Sequence, residues 1–237
     1  MSGVAPIALD QGAEPETAGF VLAGGRSSRM GQDKSLVLFD GRPMIAYSLA
    51  ALGQAALSAS ISGGEPALAA FAPLIADSQS GLGPLAGICT ALASTAVCRA
   101  VFLSVDAPLI PASLISLLVR HAAITGALIT LASVNGFAQT FPAVLDRAAL
   151  PALERELASG RLGCYRAFQA AADSLRETVA VLPVELLVQA GQIADPLGLP
   201  AAWWFLNANT PEDLGRAQIL SRPDFLSGSR QAKHRVS

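Results

Sequence analysis

The segment Gly19-Phe20-Val21-Leu22-Ala23 is an apolar run, and it leads directly into Gly24-Gly25-Arg26-Ser27-Ser28-Arg29-Met30-Gly31-Gln32-Asp33-Lys34. An apolar run that ends at glycine predicts a buried strand followed by a tight loop. Glycine adopts positive φ and has no side chain, so the amides of this loop can point into one hollow and approach a ligand closely. The segment therefore predicts the first strand of a sheet and, beside it, a nest for phosphate oxygens.

The polar side chains of this loop favour the same interpretation. Arg26, Ser27, Arg29 and Lys34 place three cations and a hydroxyl beside the open amides, which is a combination that suits a triphosphate. Lysine occurs only twice among the 16 basic residues, and its compact charge fits between phosphate oxygens where a planar guanidinium does not. The alternative is a tight turn at Gly24-Gly25 within a solvated arginine loop.

Short apolar runs alternate with helical patterns between the chain ends, which is typical of a parallel sheet with helices on both faces. We predict a single-domain, Rossmann-like three-layer α/β/α fold with a mostly parallel sheet over residues 18–220, between flexible tails at 1–17 and 221–237. The remaining predicted strands cover residues 58–62, 100–105, 127–132, 141–145, 178–182 and 204–206, and the predicted helices cover 43–52, 84–96, 111–121, 147–157 and the segment after Thr210.

Asp106 follows the most hydrophobic of these runs and precedes Ala107-Pro108. Its carboxylate is therefore predicted at the carboxyl end of a central strand, where open α/β sheets bind ligands. Mg²⁺ prefers oxygen donors and commonly takes one or two carboxylates together with substrate phosphates, so a single aspartate is sufficient as its protein ligand. Asp106 is accordingly the candidate metal ligand, and the alternative is an N-cap for the next helix.

Three further polar residues are candidates for ligand binding. Asp77 precedes the glycine-bearing loop 81–87, and its carboxylate could accept hydrogen bonds from a base edge or a ribose. Asn207 and Asn209 lie where a predicted strand gives way to a helix, and their amide oxygens could face the metal or the substrate. For all three, a turn-forming role is the alternative.

Composition excludes several classes of function. A net charge of −2 and an aromatic content of 5% argue against nucleic acid as a partner. Cys89, Cys98 and Cys164 match neither a zinc motif nor a disulfide framework and are predicted to be reduced thiols. No apolar run reaches the roughly 18 residues of a membrane span, and the leader is acidic, so we expect no membrane contact and a cytoplasmic location.

Four motifs taken together make the chain resemble the molybdenum cofactor guanylyltransferase family. They lie in the family's order between residue 19 and about residue 220. The first motif alone indicates only the wider superfamily of sugar and cofactor nucleotidyltransferases, although its Leu-Ala-Gly-Gly form is more similar to guanylyltransferases than to cytidylyltransferases, which tend to have Leu-Ala-Ala-Gly. The motifs are the loop 22–34, Gly83-Pro84-Leu85-Ala86-Gly87, Asp106-Ala107-Pro108 and Asn207-Ala208-Asn209-Thr210-Pro211-Glu212-Asp213-Leu214.

The resemblance implies a magnesium-dependent enzyme that joins GMP from GTP to the phosphate of molybdopterin and releases pyrophosphate, with molybdoenzymes as candidate receivers of the product. The matching positions imply that Leu22, Ala23 and Gly24 contact the guanine nucleotide, Lys34 its phosphates, Asp77 the nucleoside, and Asp106 both the nucleotide and Mg²⁺. From the residues themselves, we add that Arg29 and the Gly24-Gly25 amides hold the β- and γ-phosphates. Lys34, Asp106 and Arg29 are thus the predicted catalytic residues.

The chain departs from the family at two places. Ser62-Gly63-Gly64 stands where the family often has an asparagine after its second strand, and Phe137-Ala138-Gln139-Thr140-Phe141-Pro142 matches the pterin-side loop only loosely. A cytidylyltransferase or a sugar-phosphate nucleotidyltransferase on the same fold therefore remains the alternative. A nucleotide-binding regulator without catalysis is the alternative of another class.

Overall fold

The computed structural model of the protein describes residues 17–24, 33–77 and 81–221. The strands are β1 (Thr17–Leu22), β2 (Leu38–Phe39), β3 (Arg42–Pro43), β4 (Ser58–Ser62), β5 (Leu74–Ile75), β6 (Arg99–Ser104), β7 (Ile129–Val134), β8 (Phe137–Asp146) and β9 (Ala180–Pro183). The α-helices are α1 (Met44–Gln54), α2 (Pro84–Ser94), α3 (Ala112–Thr125), α4 (Leu150–Ala158), α5 (Cys164–Ser174), α6 (Val184–Gln189), α7 (Ala201–Trp204) and α8 (Pro211–Ser221).

Seven of these strands form one sheet in the order β5-β4-β1-β6-β8-β7-β9, while β2 and β3 form a separate hairpin. The pairs β5·β4, β4·β1, β1·β6 and β7·β9 are parallel, and only β8 runs antiparallel to its neighbours β6 and β7. The predicted α/β fold with a mostly parallel sheet is therefore confirmed. The predicted tails lie almost entirely outside the described residues.

Two hydrophobic core layers lie on opposite faces of the sheet. Side chains alternate along the central strands, so that Val21 and Val101 join one layer while Phe20 and Phe102 stack at 5.5 Å between ring centroids in the other. Helices α1, α3 and α8 bury residues in the first layer, and α2, α4 and α5 do so in the second. This gives the three layers of the predicted architecture. No helix among the described residues is long and apolar enough to cross a bilayer.

The prediction of a strand over residues 204–206 is wrong. Helix α7 ends at Trp204, and the Trp204 side chain is buried in the first core layer, where its Nε1–H donates to the Leu199 carbonyl at 2.9 Å. The run Trp204-Phe205-Leu206 has the composition of a strand. It is buried because the Trp204 indole packs into the first core layer, and not because the run pairs with neighbouring strands. The amphipathic helix α5 also has no counterpart in the sequence prediction.

The register of the parallel strands brings four loops to one edge of the sheet. Ile75, Ser62, Leu22 and Ser104 lie side by side across β5, β4, β1 and β6. The alignment continues past the strand ends, because the Ala23 amide donates to the Ser62 carbonyl at 3.0 Å. The residues that follow this row, including the predicted site residues Gly24, Asp77 and Asp106, therefore meet at the carboxyl edge of the sheet, where open α/β sheets bind ligands.

Candidate active site

Lys34 is the centre of a cluster of polar side chains at the carboxyl edge of the sheet. Its Nζ lies 3.2 Å from Asp106 Oδ2 and donates to Asn209 Oδ1 at 2.5 Å. The side chains of Lys34 and Asp106 are 17% and 22% exposed, so the ion pair is shielded from bulk water yet reachable by a ligand. Three segments that are distant in sequence thus hold one cation between two oxygen atoms.

Local hydrogen bonds fix each of these three segments. Lys34 opens a 3₁₀ turn that is capped by Asp33, whose carboxylate accepts the Ser35 amide at 2.8 Å. The Asp106 carbonyl accepts the Ala208 amide at 2.8 Å, which ties the loop that carries Asn209 to the end of β6. The cluster is therefore preorganised by backbone contacts and does not depend on its own ion pair for assembly.

Helix α8 begins at Pro211, two residues after Asn209, and has a reciprocal cap. Asp213 Oδ2 accepts the Thr210 amide at 3.0 Å, and Thr210 Oγ1 accepts the Asp213 amide at 3.1 Å. The Thr210 hydroxyl also donates to Asp213 Oδ2 at 2.8 Å, and this hydrogen bond, together with the one from the Thr210 amide, lowers the pKa of Asp213 from its ordinary value. The cap fixes the residue next to Asn209, so the loop and the helix N-terminus act as one unit.

A cleft of about 420 Å³ opens beside the cluster. One wall is formed by the loop after β1 and by the start of α2, the floor by the end of β6, and the other wall by β8 and the loop before α8. The residues that line it are Leu22, Gly24, Pro84, Ser104, Asp106, Ala107, Ala138, Gln139, Thr140, Phe141, Phe205 and Asn207.

Asp77 lies against three glycines at the same edge. A Cβ added to Gly63 would lie 2.7 Å from Asp77 Oδ2, one added to Gly24 would lie 3.0 Å from it, and one at Gly87 would lie 3.7 Å from Oδ1. The Oδ1 atom is shielded from solvent and has no hydrogen-bond partner among the described residues. Burial raises the pKa of Asp77 above its ordinary value. Within the described part of the chain, the capacity of Oδ1 to accept hydrogen bonds is therefore unused.

The loop after β4 contributes no polar side chain to this carboxylate. Ser62 is buried and its Oγ donates to the Gly87 carbonyl at 2.9 Å, while Gly63 and Gly64 adopt positive φ. An asparagine, which the resembled family often has here, would bring an amide to this place. Ser62-Gly63-Gly64 provides no such amide, and Asp77 Oδ1 has no donor among the residues that the structure describes.

The donor atoms in the cluster are suited to Mg²⁺. Asp106 Oδ2 and Asn209 Oδ1 are hard oxygen ligands, and they already share one cationic group, the Lys34 ammonium. No group of three or more His, Cys, Asp or Glu side chains among the described residues could hold a metal. A single carboxylate fits a metal that arrives with substrate phosphates, because Mg²⁺ is commonly held by one or two carboxylates and the phosphates themselves.

The predicted site residues fall into three groups. Leu22, Gly24, Asp106 and Asn207 line the cleft, while Lys34 contacts both Asp106 and Asn209. Asp77 lies at the same edge and packs against Gly24. Ala23, the residue before Gly24, has a buried side chain. Gly25, Arg26, Ser27 and Arg29 lie outside the described residues, so their predicted roles remain predictions.

Sequence reasoning assigned no individual role to three polar residues of the cleft, Ser104, Gln139 and Thr140. Ser104, at the end of β6, donates from Oγ to Asp106 Oδ1 at 2.5 Å, and Thr140 lies on the facing strand β8. The spacing of Ser104 and Asp106 was a usable signal, because residues two apart in a strand point to the same face. Gln139 and Thr140 belong to the segment that matches the pterin-side loop only loosely, and their position in the cleft depends on β8 being antiparallel, which the sequence does not indicate.

Comparisons with known proteins agree on one family. The model of the MobA-like NTP transferase domain matches residues 19–179. The molybdenum cofactor guanylyltransferase of Pseudomonas putida is 36% identical over 170 residues, which are 70% of this chain and 85% of that protein. The enzyme of the same name from Rhizobium johnstonii is 31% identical over 209 residues, 85% of this chain and 91% of that protein.

A solved structure supports the fold. Molybdopterin-guanine dinucleotide biosynthesis protein A from Archaeoglobus fulgidus superposes with a TM-score of 0.68 at 23% identity, over 85% of this chain and 96% of that one. At this identity the likeness concerns the arrangement of strands and helices, which both chains share.

We predict that Asp77→Asn stabilises the ligand-free protein at neutral pH. The charged form of Asp77 is disfavoured by burial, which raises its pKa above the ordinary 3.8, so the carboxylate costs stability above the raised pKa and costs nothing below the ordinary value. The gain from the neutral amide should therefore shrink as the pH is lowered toward 3.8. Urea unfolding of the wild type and of Asp77→Asn at several pH values measures this difference in the free energy of unfolding.

Glu65→Gln is the control for this experiment, because Glu65 is exposed and its side chain makes no capping hydrogen bond. It should leave the free energy of unfolding unchanged across the same pH range. A destabilised Asp77→Asn protein at neutral pH would mean that the carboxylate has a stabilising partner that this account lacks.

Proposed function

The chain belongs to the family of MobA-like NTP transferase domains, and from this membership we propose that it transfers GMP from GTP to the phosphate of molybdopterin with release of pyrophosphate. It is a nucleotidyltransferase by family. Relatives named molybdenum cofactor guanylyltransferase align with most of its length, and they support GTP as the donor. We further propose Mg²⁺ as the metal and a cytoplasmic location, the latter supported by three unpaired cysteines.

The observation that carries the proposal is the contact between Lys34 Nζ and Asp106 Oδ2, 3.2 Å apart beside the cleft. A cation for phosphate and a carboxylate for metal are both needed where a nucleotide triphosphate reacts. A module that only binds nucleotide needs the amides of a glycine loop but has little use for the carboxylate. The pair therefore favours transfer over binding alone.

In the proposed reaction, an oxygen of the acceptor phosphate forms a bond to the α-phosphorus of GTP. The bond from that phosphorus to the bridging oxygen breaks, and its electron pair leaves with pyrophosphate. Little covalent chemistry is required of the protein, which must bring two anions together and neutralise the charge on their oxygens. When bound, Mg²⁺ would supply Lewis-acid stabilisation to the phosphate oxygens, with Asp106 as its protein ligand.

Lys34 has the second role in this scheme. Its ammonium is held between Asp106 Oδ2 and Asn209 Oδ1, and an arriving triphosphate offers it oxygens of higher charge. The ammonium would exchange Asp106 for a phosphate oxygen, which frees the carboxylate at the moment when the metal arrives with the nucleotide. We propose that Arg29 and the amides of Gly24 and Gly25 hold the β- and γ-phosphates.

Asp77 is the proposed contact for the guanine base. An ionised carboxylate only accepts hydrogen bonds, and guanine offers two adjacent donors, N1–H and its exocyclic amino group. The Oδ1 atom of Asp77 is buried and without a partner among the described residues, so a donor from the ligand would satisfy it. Gly24 and Gly63 leave the space in which Asp77 sits.

One observation keeps cytidine triphosphate as a second candidate donor. The sequence Ser62-Gly63-Gly64 provides no side-chain amide beside Asp77, because the Ser62 hydroxyl is bonded to the Gly87 carbonyl. Fewer hydrogen-bonding groups would then contact the base than in a site that has an asparagine. A sugar-phosphate acceptor would be the corresponding alternative to molybdopterin.

A pyrophosphate-release assay tests the proposal directly. The purified protein is given GTP, CTP or UTP in turn, each with Mg²⁺ and with or without molybdopterin. We expect release only when the acceptor is present, and fastest with GTP. Faster release with CTP would mean that CTP, not GTP, is the donor. The absence of release with every nucleotide would mean that the protein is a nucleotide-binding regulator.

We predict that Lys34→Ala and Asp106→Ala each lower the rate of transfer below detection, since removing one preorganised charge from such a site costs about a hundredfold or more. Both variants should fold, because backbone hydrogen bonds hold the surrounding loops. The rate of pyrophosphate release and the circular dichroism spectrum measure the two effects. One tenth of the wild-type rate in either variant would refute its assigned role.

Arg99→Ala is the matched control for Lys34→Ala. Arg99 begins β6 and lies 3.8 Å from Asp146, so this variant breaks an ion pair at the opposite end of the same strand. It should retain the wild-type rate of transfer. A comparable loss in Arg99→Ala would mean that ion pairs at either end of β6 matter through the fold.

We predict that Gly63→Ala reduces the preference for GTP over CTP by about tenfold, the value of one hydrogen bond to a charged group. The new Cβ would lie 2.7 Å from Asp77 Oδ2 and would push the carboxylate out of place. Gly126→Ala is the control, because Gly126 has a similar positive φ of 67° with nothing within 4 Å. Both variants should lose about 1 kcal/mol of stability to backbone strain.

The ratio of kcat/KM for GTP to that for CTP, measured in both variants, checks this prediction. Only Gly63→Ala should change the ratio. An unchanged ratio in Gly63→Ala, with the expected loss of stability, would remove Asp77 from base recognition.

A further inference from the structure

The two carboxylate oxygens of Asp106 have different partners. Oδ2 faces the Lys34 ammonium at 3.2 Å, whereas Oδ1 accepts a hydrogen bond from Ser104 Oγ at 2.5 Å. Ser104 has no contact with Lys34 or Asn209 among the hydrogen bonds of the cluster. Oδ1 thus accepts from the neutral Ser104 hydroxyl, and Oδ2 is available to a cation.

The strand places this hydroxyl where an apolar residue would otherwise be expected. Leu103 and Val105, on either side of Ser104, are buried in the first core layer, and Leu22, its neighbour on β1, is buried in the second. Ser104 is half-buried and lines the cleft with Asp106. We therefore infer that the hydroxyl at the end of this hydrophobic strand serves to contact Asp106.

We propose that Ser104 is a positioning residue that fixes the orientation of the Asp106 carboxylate and reserves Oδ2 for cations. In the free protein this cation is the Lys34 ammonium. In the nucleotide complex it is the metal that arrives with the triphosphate, so this inference rests on the proposed function.

The physical reason is the freedom of an aspartate side chain. Rotation about its last torsion is broad and nearly two-fold, so a carboxylate without a partner on Oδ1 offers either oxygen in many orientations. The hydrogen bond from Ser104 removes that freedom before the metal binds. Partners that orient a metal ligand in this way typically change metal affinity by 10- to 100-fold.

Calorimetric titrations separate positioning from a structural role. GTP is titrated into the protein once with Mn²⁺ and once with EDTA, without acceptor, and the ratio of the two dissociation constants gives the metal-dependent gain in affinity. We expect Ser104→Ala to lower this gain about tenfold, with GTP binding in EDTA unchanged. Ser104→Thr keeps the hydroxyl and should restore the gain.

Ser94→Ala is the control, because the Ser94 hydroxyl bonds to the Ala91 carbonyl at the end of α2, away from the cleft. It should bind like the wild type. A wild-type gain in Ser104→Ala would overturn the inference, as would an equal loss of GTP affinity in Mn²⁺ and in EDTA, which a merely structural role produces.

Asp106→Ala distinguishes this inference from the proposed function. If that variant loses the metal-dependent gain while Ser104→Ala keeps it, Asp106 is the metal ligand and only the role of Ser104 is wrong. If Asp106→Ala keeps the gain, the metal is not bound by Asp106, and both the proposed metal site and the inference fail.

Discussion

The ion pair between Lys34 and Asp106 is the interaction on which this account depends, and the sheet makes it possible. The two residues are 72 positions apart, and they meet because β1 and β6 are parallel neighbours whose loops leave the same edge. Asn209 joins them because the loop before α8 is bonded to the Asp106 backbone. The Lys34 ammonium therefore lies between two oxygen atoms beside the cleft, where in the proposed function it would exchange Asp106 for a phosphate oxygen.

Asp77, the proposed contact for the nucleoside, is positioned in a different way. Asp77 is placed by close packing against glycines, and its buried oxygen has no partner in the described part of the chain. Such a carboxylate costs stability, because burial disfavours its charged form. In the proposed function, a nucleotide that donates hydrogen bonds to this oxygen would remove the cost.

The sequence was sufficient for the fold class and for the central part of the site. Apolar runs located β1 and β6, and the rule that ligands bind at the carboxyl ends of parallel strands indicated Asp106 and the loop after Leu22. Strand order was not predictable, so the contact of Asp77 with Gly63 could not be foreseen. Residues 204–206 were assigned as a strand because burial of a single indole and burial in a sheet give the same composition.

Crystals grown with GTP and Mn²⁺ would locate the metal through its anomalous signal. We expect a peak on the Asp106 carboxylate, with the Lys34 ammonium moved from Asp106 to a phosphate oxygen. A bound nucleotide whose metal lies away from Asp106, with the contacts of Lys34 to Asp106 and Asn209 intact, would contradict this expectation.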